Sequence, residues 1–99
     1  MTNLTGKNFK QEAEQAEQPV LIGFYHSRCA KNQSLESLEK DFSGRLKFCC
    51  VDVDREEGIA QQFDIFSVPT LVLLWEGEVL QRIWGEHSAE GLSEMLDLN

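Results

Sequence analysis

The chain has 99 residues, of which 41% are hydrophobic, enough for one domain with one core and too few for a second domain. Its formal net charge is -8 and it has no basic cluster, which argues against nucleic acid and anionic membranes as partners. The opening MTNLTGKNF lacks an apolar signal core, and no apolar run approaches the ~20 residues that span a bilayer. We therefore expect a cytoplasmic protein, in which three cysteines, an odd number, are free thiols.

The first half of the chain predicts strands and helices in alternation. Residues 3–4 predict a short edge strand, and a helix follows that ends at Pro19. The nearly continuous apolar run Val20–Tyr25 is typical of a strand buried on both faces. After a short polar turn, the apolar spacing changes to the helical period and predicts a helix over residues 29–42.

The second half continues the alternation and ends in a hairpin and a helix. Residues 46–53 predict a buried strand, and an acidic turn beginning at Asp54 can cap a short helix after it. Two strands then turn on Gly77, and Ser88 is a candidate N-cap for a last helix. That helix is expected to present Leu92, Met95 and Leu96 inward. The order βαβαβ-α-ββα predicts a single α/β domain over residues 1–99, with a central mixed sheet and helices on both faces.

Cys29 is the candidate nucleophile of the chain. The pattern puts it where a strand passes into a helix, and the unpaired N–H groups of a helix start favour a thiolate over a thiol. Positive charges on Arg28 and Lys31 should favour the thiolate further. One thiol can carry the chemistry as far as a mixed disulfide, which an external thiol must resolve. The alternative is a vestigial cysteine in a fold that now serves only for binding.

Four landmarks occur in a recognisable order: FYHSRC at a helix start, Val68-Pro69-Thr70, the hairpin at Gly77, and Gly85 before the last helix. Together they resemble the thioredoxin family over nearly the whole chain. The resemblance implies a thioredoxin fold in which Pro69 is a cis proline. Its loop would lie against Cys29, and Val68 and Pro69 would offer an extended substrate strand their backbone groups. By base rates alone, Pro69 would be a trans turn proline that opens a strand.

The chain departs from the family pattern at the positions that carry the chemistry. The usual motif is Cys-Gly-Pro-Cys after a tryptophan, whereas here Arg28 precedes Cys-Ala-Lys-Asn. Asn32 therefore stands in place of the resolving cysteine and can hydrogen-bond a sulfur but cannot attack a disulfide. The family's buried acid falls on Gly23, and the strand lysine that often accompanies it falls on Cys50. The ordinary dithiol mechanism is thus in doubt.

The remaining cysteines and His26 are expected to have structural or secondary roles. Cys49 and Cys50 are adjacent on a predicted strand, so their side chains point to opposite faces, and both are expected to act as small core hydrophobes. Cys50 would face the region beneath Cys29, which leaves a resolving thiol reached by partial helix opening as an alternative. His26 is expected to be an exposed modulator of Cys29. A metal site is not predicted, because only three ligands of uncertain convergence are on offer.

These observations predict a monomeric thiol–disulfide oxidoreductase that uses one nucleophilic cysteine and serves cell redox homeostasis. Its substrate would be a protein disulfide or a low-molecular-weight thiol, and no cofactor is expected. The alternatives are a redox-inactive module that binds a protein partner and a thiol-based redox sensor. The candidate residues are Cys29 and Asn32 for catalysis, and Arg28, Lys31, Val68 and Pro69 for substrate binding.

Overall fold

The structure is a computed structural model that describes residues 1–27 and 33–98. Within this part of the chain, five strands form one mixed sheet in the order β1-β3-β2-β4-β5. β3 runs parallel to β1 and β2, whereas β4 runs antiparallel to β2 and β5. The predicted mixed sheet is confirmed. The strands are β1 (Thr2–Asn3), β2 (Val20–Tyr25), β3 (Lys47–Asp52), β4 (Thr70–Trp75) and β5 (Glu78–Trp84).

The helices follow the predicted order but differ in extent. In the described residues they are a short π-helix (Lys10–Glu14), α1 (Gln33–Phe42), α2 (Glu57–Gln62) and α3 (Ala89–Met95). The predicted start of α1 at Cys29 lies outside the described residues. The prediction that the first helix runs to Pro19 is wrong, because the backbone already leaves helical geometry at Gln15. Gln18 instead donates from Nε2 to the Gly44 carbonyl at 3.0 Å, which fixes the connection into β2.

The two sides of the sheet carry separate apolar clusters. On one side, which we call the closed face, Ile22, Phe24 and Val72 pack with Phe63 and Ala13, residues supplied by α2 and the π-helix. The other side, the cavity face, is covered by α1 and α3. Its cluster includes Leu21, Leu35, Leu38, Leu71, Leu92 and Leu96. Helices therefore cover both faces of the sheet, as predicted.

Helix α3 shows one error in the predicted inward face. Leu92 and Leu96 are buried, but Met95 is 43% exposed. Its place on the buried side is taken by Leu98, which follows the helix and packs in the same cluster. Arg45, just after α1, donates to the Leu98 carbonyl at 2.8 Å and holds this end of the chain. The predicted N-cap is confirmed, since the Ser88 hydroxyl accepts from Gly91 N at 3.0 Å.

The hairpin of β4 and β5 turns on two residues with positive φ, Glu76 at 52° and Gly77 at 83°. Two consecutive positive φ angles are the signature of the type I′ turn, whose twist matches that of paired strands. Within the hairpin, Leu73 pairs with Gln81 and Leu74 with Val79, so a bulge forms at Leu80. β5 is an outer strand of the sheet, and the bulge interrupts its pairing with β4 near the start of β5.

Candidate functional site

The predicted site residues fall into two groups. Arg28, Cys29, Lys31 and Asn32 lie outside the described residues, in the segment 28–32 that joins β2 to α1. Val68 and Pro69 are described, and the peptide bond between them is cis. The described surroundings of the segment 28–32 therefore define the candidate site.

A cavity of about 1180 Å³ on the cavity face brings those surroundings together. Its described lining comes from the ends of β2 and β3, from α1, from Val68 and Pro69, and from residues 86–88. Tyr25 precedes the segment 28–32 and Gln33 follows it, and both line this cavity. Val68 and Pro69, two of the four residues predicted to bind substrate, thus share one cavity with Tyr25 and Gln33, which stand on either side of the segment 28–32 in the sequence.

The loop that holds Pro69 is tied down from both sides. The Thr70 hydroxyl donates to the Ser67 carbonyl at 2.7 Å, and Gly85 N donates to the Pro69 carbonyl at 3.0 Å. Thr70 is buried and pairs with Trp84 across the β4–β5 ladder. Residues 67–70 are therefore anchored by a side chain and by the next strand.

The floor of the cavity contains no side chain at Gly23. A Cβ atom built there would lie 2.7 Å from Leu35 Cδ2 and 3.5 Å from Leu71 Cδ2. The first distance is shorter than real Cβ contacts, so any larger side chain requires Leu35 to move. The resemblance aligns a buried acid with this position, and here the space for one is occupied by leucine.

Cys50 pairs with Gly23 in the parallel ladder and lines the same cavity. It is half-buried, which differs from the expected buried core residue. Its Sγ donates to Asn3 Oδ1 at 2.8 Å. Burial, followed by the nearby Cys50 and Asp52, raises the pKa of the Tyr25 hydroxyl. A half-buried thiol and a phenol that keeps its proton therefore lie side by side at the cavity floor.

Cys49 lies one residue earlier on β3 and belongs to the cluster of the closed face. It is fully buried, and burial raises the pKa of its thiol to about 11. The prediction that Cys49 is a core residue is confirmed. The two cysteines also point to opposite sides of the sheet, as the alternation of a strand requires.

Two carboxylates at the end of β3 hold the last described residues before the motif segment. Asp54 accepts from Ser27 N through Oδ2 at 3.0 Å, and its Oδ1 lies 3.2 Å from His26 Nδ1. Asp52 accepts from the Ser27 hydroxyl and also from Asp54 N, the latter at 3.0 Å. The Ser27 N–H bond, with a smaller effect of His26, lowers the pKa of the Asp54 carboxyl below its usual 3.8.

Sequence reasoning assigned Asp54 to an acidic turn that caps the next helix, and this assignment is wrong. The N-cap position of α2 is Glu56, which makes no side-chain cap bond. Its carboxylate instead accepts from Gly6 N at 3.0 Å. A signal was available, since β2 and β3 were both predicted, and the carboxyl ends of neighbouring parallel strands meet at one edge of a sheet. Asp52 and Asp54 could have been found there.

Metal sites and membrane-spanning helices are both absent from the described part of the chain. Residues 1–27 and 33–98 contain no group of three or more His, Cys, Asp or Glu side chains arranged to hold a metal ion. In the same residues, each helix falls short of the length and apolar character needed to cross a membrane.

Comparisons with known proteins agree with the resemblance to the thioredoxin family. The family model described as Thioredoxin matches residues 1–98. Thioredoxin C-2 of Corynebacterium nephridii is 31% identical over 100% of this chain and 95% of its own length. The thioredoxin of Pseudomonas aeruginosa is 27% identical over 100% of this chain and 95% of its own length. That of Rickettsia bellii is 28% identical, covering 99% and 97%. The chain belongs to the thioredoxin family, and its mixed sheet with helices on both faces is the thioredoxin fold.

Proposed function

We propose that this thioredoxin-family thiol–disulfide oxidoreductase acts through a single nucleophilic cysteine, Cys29, and that an external thiol completes each turnover. The observation that carries the proposal is Asn32, which stands where the family's motif has its second cysteine. An amide cannot displace a sulfur, so the motif has no internal group to resolve a mixed disulfide. Gly23, packed under Leu35, supports the same reading, because it supplies no buried acid.

The proposed reaction runs through mixed disulfides. The Cys29 thiolate attacks one sulfur of a protein disulfide, the S–S bond breaks, and the other sulfur leaves as a thiolate that takes a proton from water. An external thiolate then attacks the Cys29 sulfur and releases the second substrate thiolate. A second external thiolate attacks the external sulfur now bound to Cys29. Cys29 returns to its thiolate, two external thiols become one disulfide, and the substrate disulfide gains two electrons.

The residues around the motif have separate proposed roles. Positive charge on Arg28 and Lys31, together with the helix that follows, would stabilise the Cys29 thiolate. Val68 would present its backbone groups to an extended segment of the substrate, and Pro69 would shape the groove in which that segment lies. The two bonds that anchor their loop use the Ser67 and Pro69 carbonyls, and neither uses Val68. Asn32 would hydrogen-bond the sulfur at the reacting centre.

We also propose a cytoplasmic monomer that acts on protein disulfides or low-molecular-weight thiols in redox homeostasis. Support comes from Cys49 and Cys50, which are thiols rather than halves of a disulfide in the described part of the chain and so fit a reducing compartment. The acidic net charge of -8 supports a partner other than nucleic acid.

The first test measures the alkylation rate of Cys29 against pH, with peptide mapping to separate the three thiols. The expected midpoint lies below the ~8.5 of an unperturbed thiol. A midpoint at or above that value contradicts the nucleophile assignment. Cys50→Ser serves as the matched control, because it removes the half-buried thiol of Cys50 and leaves Cys29 in place.

The second test measures insulin reduction with two reductants. With a thioredoxin reductase the expected turnover is poor, since a single cysteine forms no internal disulfide for that enzyme to reduce. With glutathione the reduction is expected to proceed and to disappear in Cys29→Ser. Asn32→Cys should raise the reductase-dependent rate. Wild-type turnover with the reductase at the level of a dithiol thioredoxin is incompatible with the proposal.

A further inference from the structure

Two carboxylates hold the residues that directly follow β2. The β2–β3 ladder ends at the pair Tyr25 and Asp52, and Val53 N then donates to the Tyr25 carbonyl at 2.9 Å. Beyond that point the backbone ladder stops. The next two residues, His26 and Ser27, are held by Asp54 and Asp52 instead.

We propose that Asp54 is a positioning residue for thiol–disulfide exchange: its carboxylate fixes the backbone at His26 and Ser27, from which the segment carrying Cys29 departs. The inference rests on the proposed role of Cys29. Asp54 uses both of its oxygens, one for Ser27 N and one for His26 Nδ1, so two adjacent residues are held by one group. Asp52 braces it by accepting from Asp54 N and from the Ser27 hydroxyl.

We call the bonds from Asp54 and Asp52 to His26 and Ser27 the clamp. Ser27 lies close enough to Cys29 in the sequence for the clamp to affect the position of that residue. Cys29 follows Ser27 by two residues, so their Cα atoms are at most about 7 Å apart, whatever path the chain takes. Errors of about 1 Å in the placement of a reacting group can cost large factors in rate. Fixing Ser27 therefore limits the positions open to the thiol relative to a docked substrate.

The clamp is a poor candidate for a purely structural role. The His26 and Asp54 side chains are about half exposed, at 50% and 48%. Exposed pairs of this kind contribute little to global stability. The other charged groups that face the cluster are Arg55, whose Nε lies 3.7 Å from Asp52 Oδ2, and Glu56, which is engaged with Gly6 N. Loss of Asp54 should thus change exchange more than folding.

The charge of Asp54 and its hydrogen bonds act in opposite directions on Cys29. A nearby negative charge disfavours a thiolate, so removing it should leave the alkylation of Cys29 equal or faster. Losing the hydrogen bonds should slow exchange with a protein disulfide, since that reaction needs the thiol to meet a docked bond. Alkylation by a small reagent needs only a thiolate. The two measurements therefore separate positioning from a charge effect.

The experiment compares Asp54→Asn and Asp54→Ala with wild type. Asparagine keeps an oxygen for Ser27 N but loses the negative charge, whereas alanine loses every bond. The matched control is Asp97→Asn, which removes the charge of another exposed aspartate. Asp97 follows α3 and is next to Leu98, whose carbonyl accepts from Arg45. Each protein reacts with insulin in the presence of glutathione, and iodoacetamide alkylation of Cys29 is followed by mass mapping against pH. Cys29→Ser gives the baseline.

For Asp54→Ala we expect the insulin rate to fall by about tenfold or more, for Asp54→Asn by a smaller factor, and for Asp97→Asn not at all. Alkylation of Cys29 should stay equal or rise in all three. If Asp54→Ala reduces insulin at the wild-type rate, the inference is overturned. It is also overturned if the isosteric Asp54→Asn lowers the rate of Cys29 alkylation by the same factor as the rate of insulin reduction. If Cys29→Ser itself keeps the wild-type rate, the proposed function fails first, and the two failures are thereby distinguished.

Discussion

Cys49 and Cys50 are neighbours on β3, yet they occupy opposite environments. Cys49 lies within the closed face, where it is fully buried and its thiol pKa is raised to about 11. Cys50 lies on the cavity face, half-buried and beside Asn3 and Tyr25. The residue type is the same, and only the side of the sheet differs. The burial of each of these two thiols is therefore decided by the packing of the face on which it lies.

The difference between the faces begins on β2. Ile22 and Phe24 fill the closed face, whereas Gly23 between them offers no side chain to the cavity face. Leu35 of α1 fills the space above Gly23, and the cavity opens beside it. The space that a side chain at position 23 would need is thus taken by Leu35, and the cavity lies next to it only on this face.

The largest effect is expected for Gly23→Asp. The new Cβ would meet Leu35 Cδ2 at 2.7 Å, and overpacking of this kind costs about 1–3 kcal/mol. Burying the carboxyl without a partner adds a further ~1–3 kcal/mol. We expect the free energy of unfolding, measured with urea, to fall by about 4 kcal/mol. Gly44→Asp is the control, because nothing lies within 4 Å of a Cβ there.

A double-mutant cycle with Leu35→Ala identifies the cause. Leu35→Ala alone should cost about 2–5 kcal/mol through the cavity that it leaves. Combined with Gly23→Asp, it should cost less than the sum of the two single changes, since the clash is gone. Strict additivity would mean that Leu35 is not what excludes a side chain at position 23.

Serine substitutions compare the two cysteines directly. Cys49→Ser puts a hydroxyl among apolar side chains of the closed face and should lower the free energy of unfolding by about 1–3 kcal/mol. Cys50→Ser places the hydroxyl at the cavity, beside Asn3 Oδ1, and should change it by less than about 0.5 kcal/mol. Equal losses for both variants would contradict the difference between the faces.

The raised pKa of Cys49 predicts a loss of stability in base. The unfolded chain releases the thiol proton near its ordinary 9.0, but the folded chain holds it to about 11. The contribution to the free energy of unfolding is thus fully present below pH 9 and is lost as pH rises towards 11. The loss amounts to about 1 kcal/mol at pH 10. Urea unfolding against pH should show this slope in wild type and a flatter one in Cys49→Ala.

The smallest expected effect concerns Asp54 in acid. Its folded pKa lies below the ordinary 3.8, so its contribution to stability is present above that value and disappears as pH falls through the lower, folded value. The side chain is exposed, so the difference between wild type and Asp54→Asn should be small near neutrality. It should vanish at the acid end of a pH series of thermal unfolding. A difference that grows in acid would show the opposite sign of linkage.

Local patterns predicted much of this fold. The apolar run at residues 20–25 matched β2 to the residue, the hairpin turned at Gly77, and Ser88 capped the last helix. Each of these features depends on residues close together in the chain. Met95 was misplaced because α3 is short and Leu98, beyond its end, fills the buried side.

The candidate site was harder to predict because it depends on distant residues. Cys50 pairs with Gly23 and lines the cavity, and a local pattern contains neither this pairing nor the packing of Leu35 over Gly23. Asp54 is bonded to His26 and Ser27, from which it is separated by 28 and 27 positions in the sequence. Pairing the carboxyl ends of predicted parallel strands is the kind of reasoning that reaches such contacts.

The bulge at Leu80 has a consequence for how copies of the protein behave at high concentration. An outer strand with an even row of N–H and C=O groups is a template for another chain, and β5 also exposes Leu80 at 56%. The bulge breaks that row between Val79 and Gln81, so a neighbouring strand cannot pair along the full length. The charge of -8 adds repulsion between copies. Fibril formation through this edge is thereby opposed by shape as well as by charge.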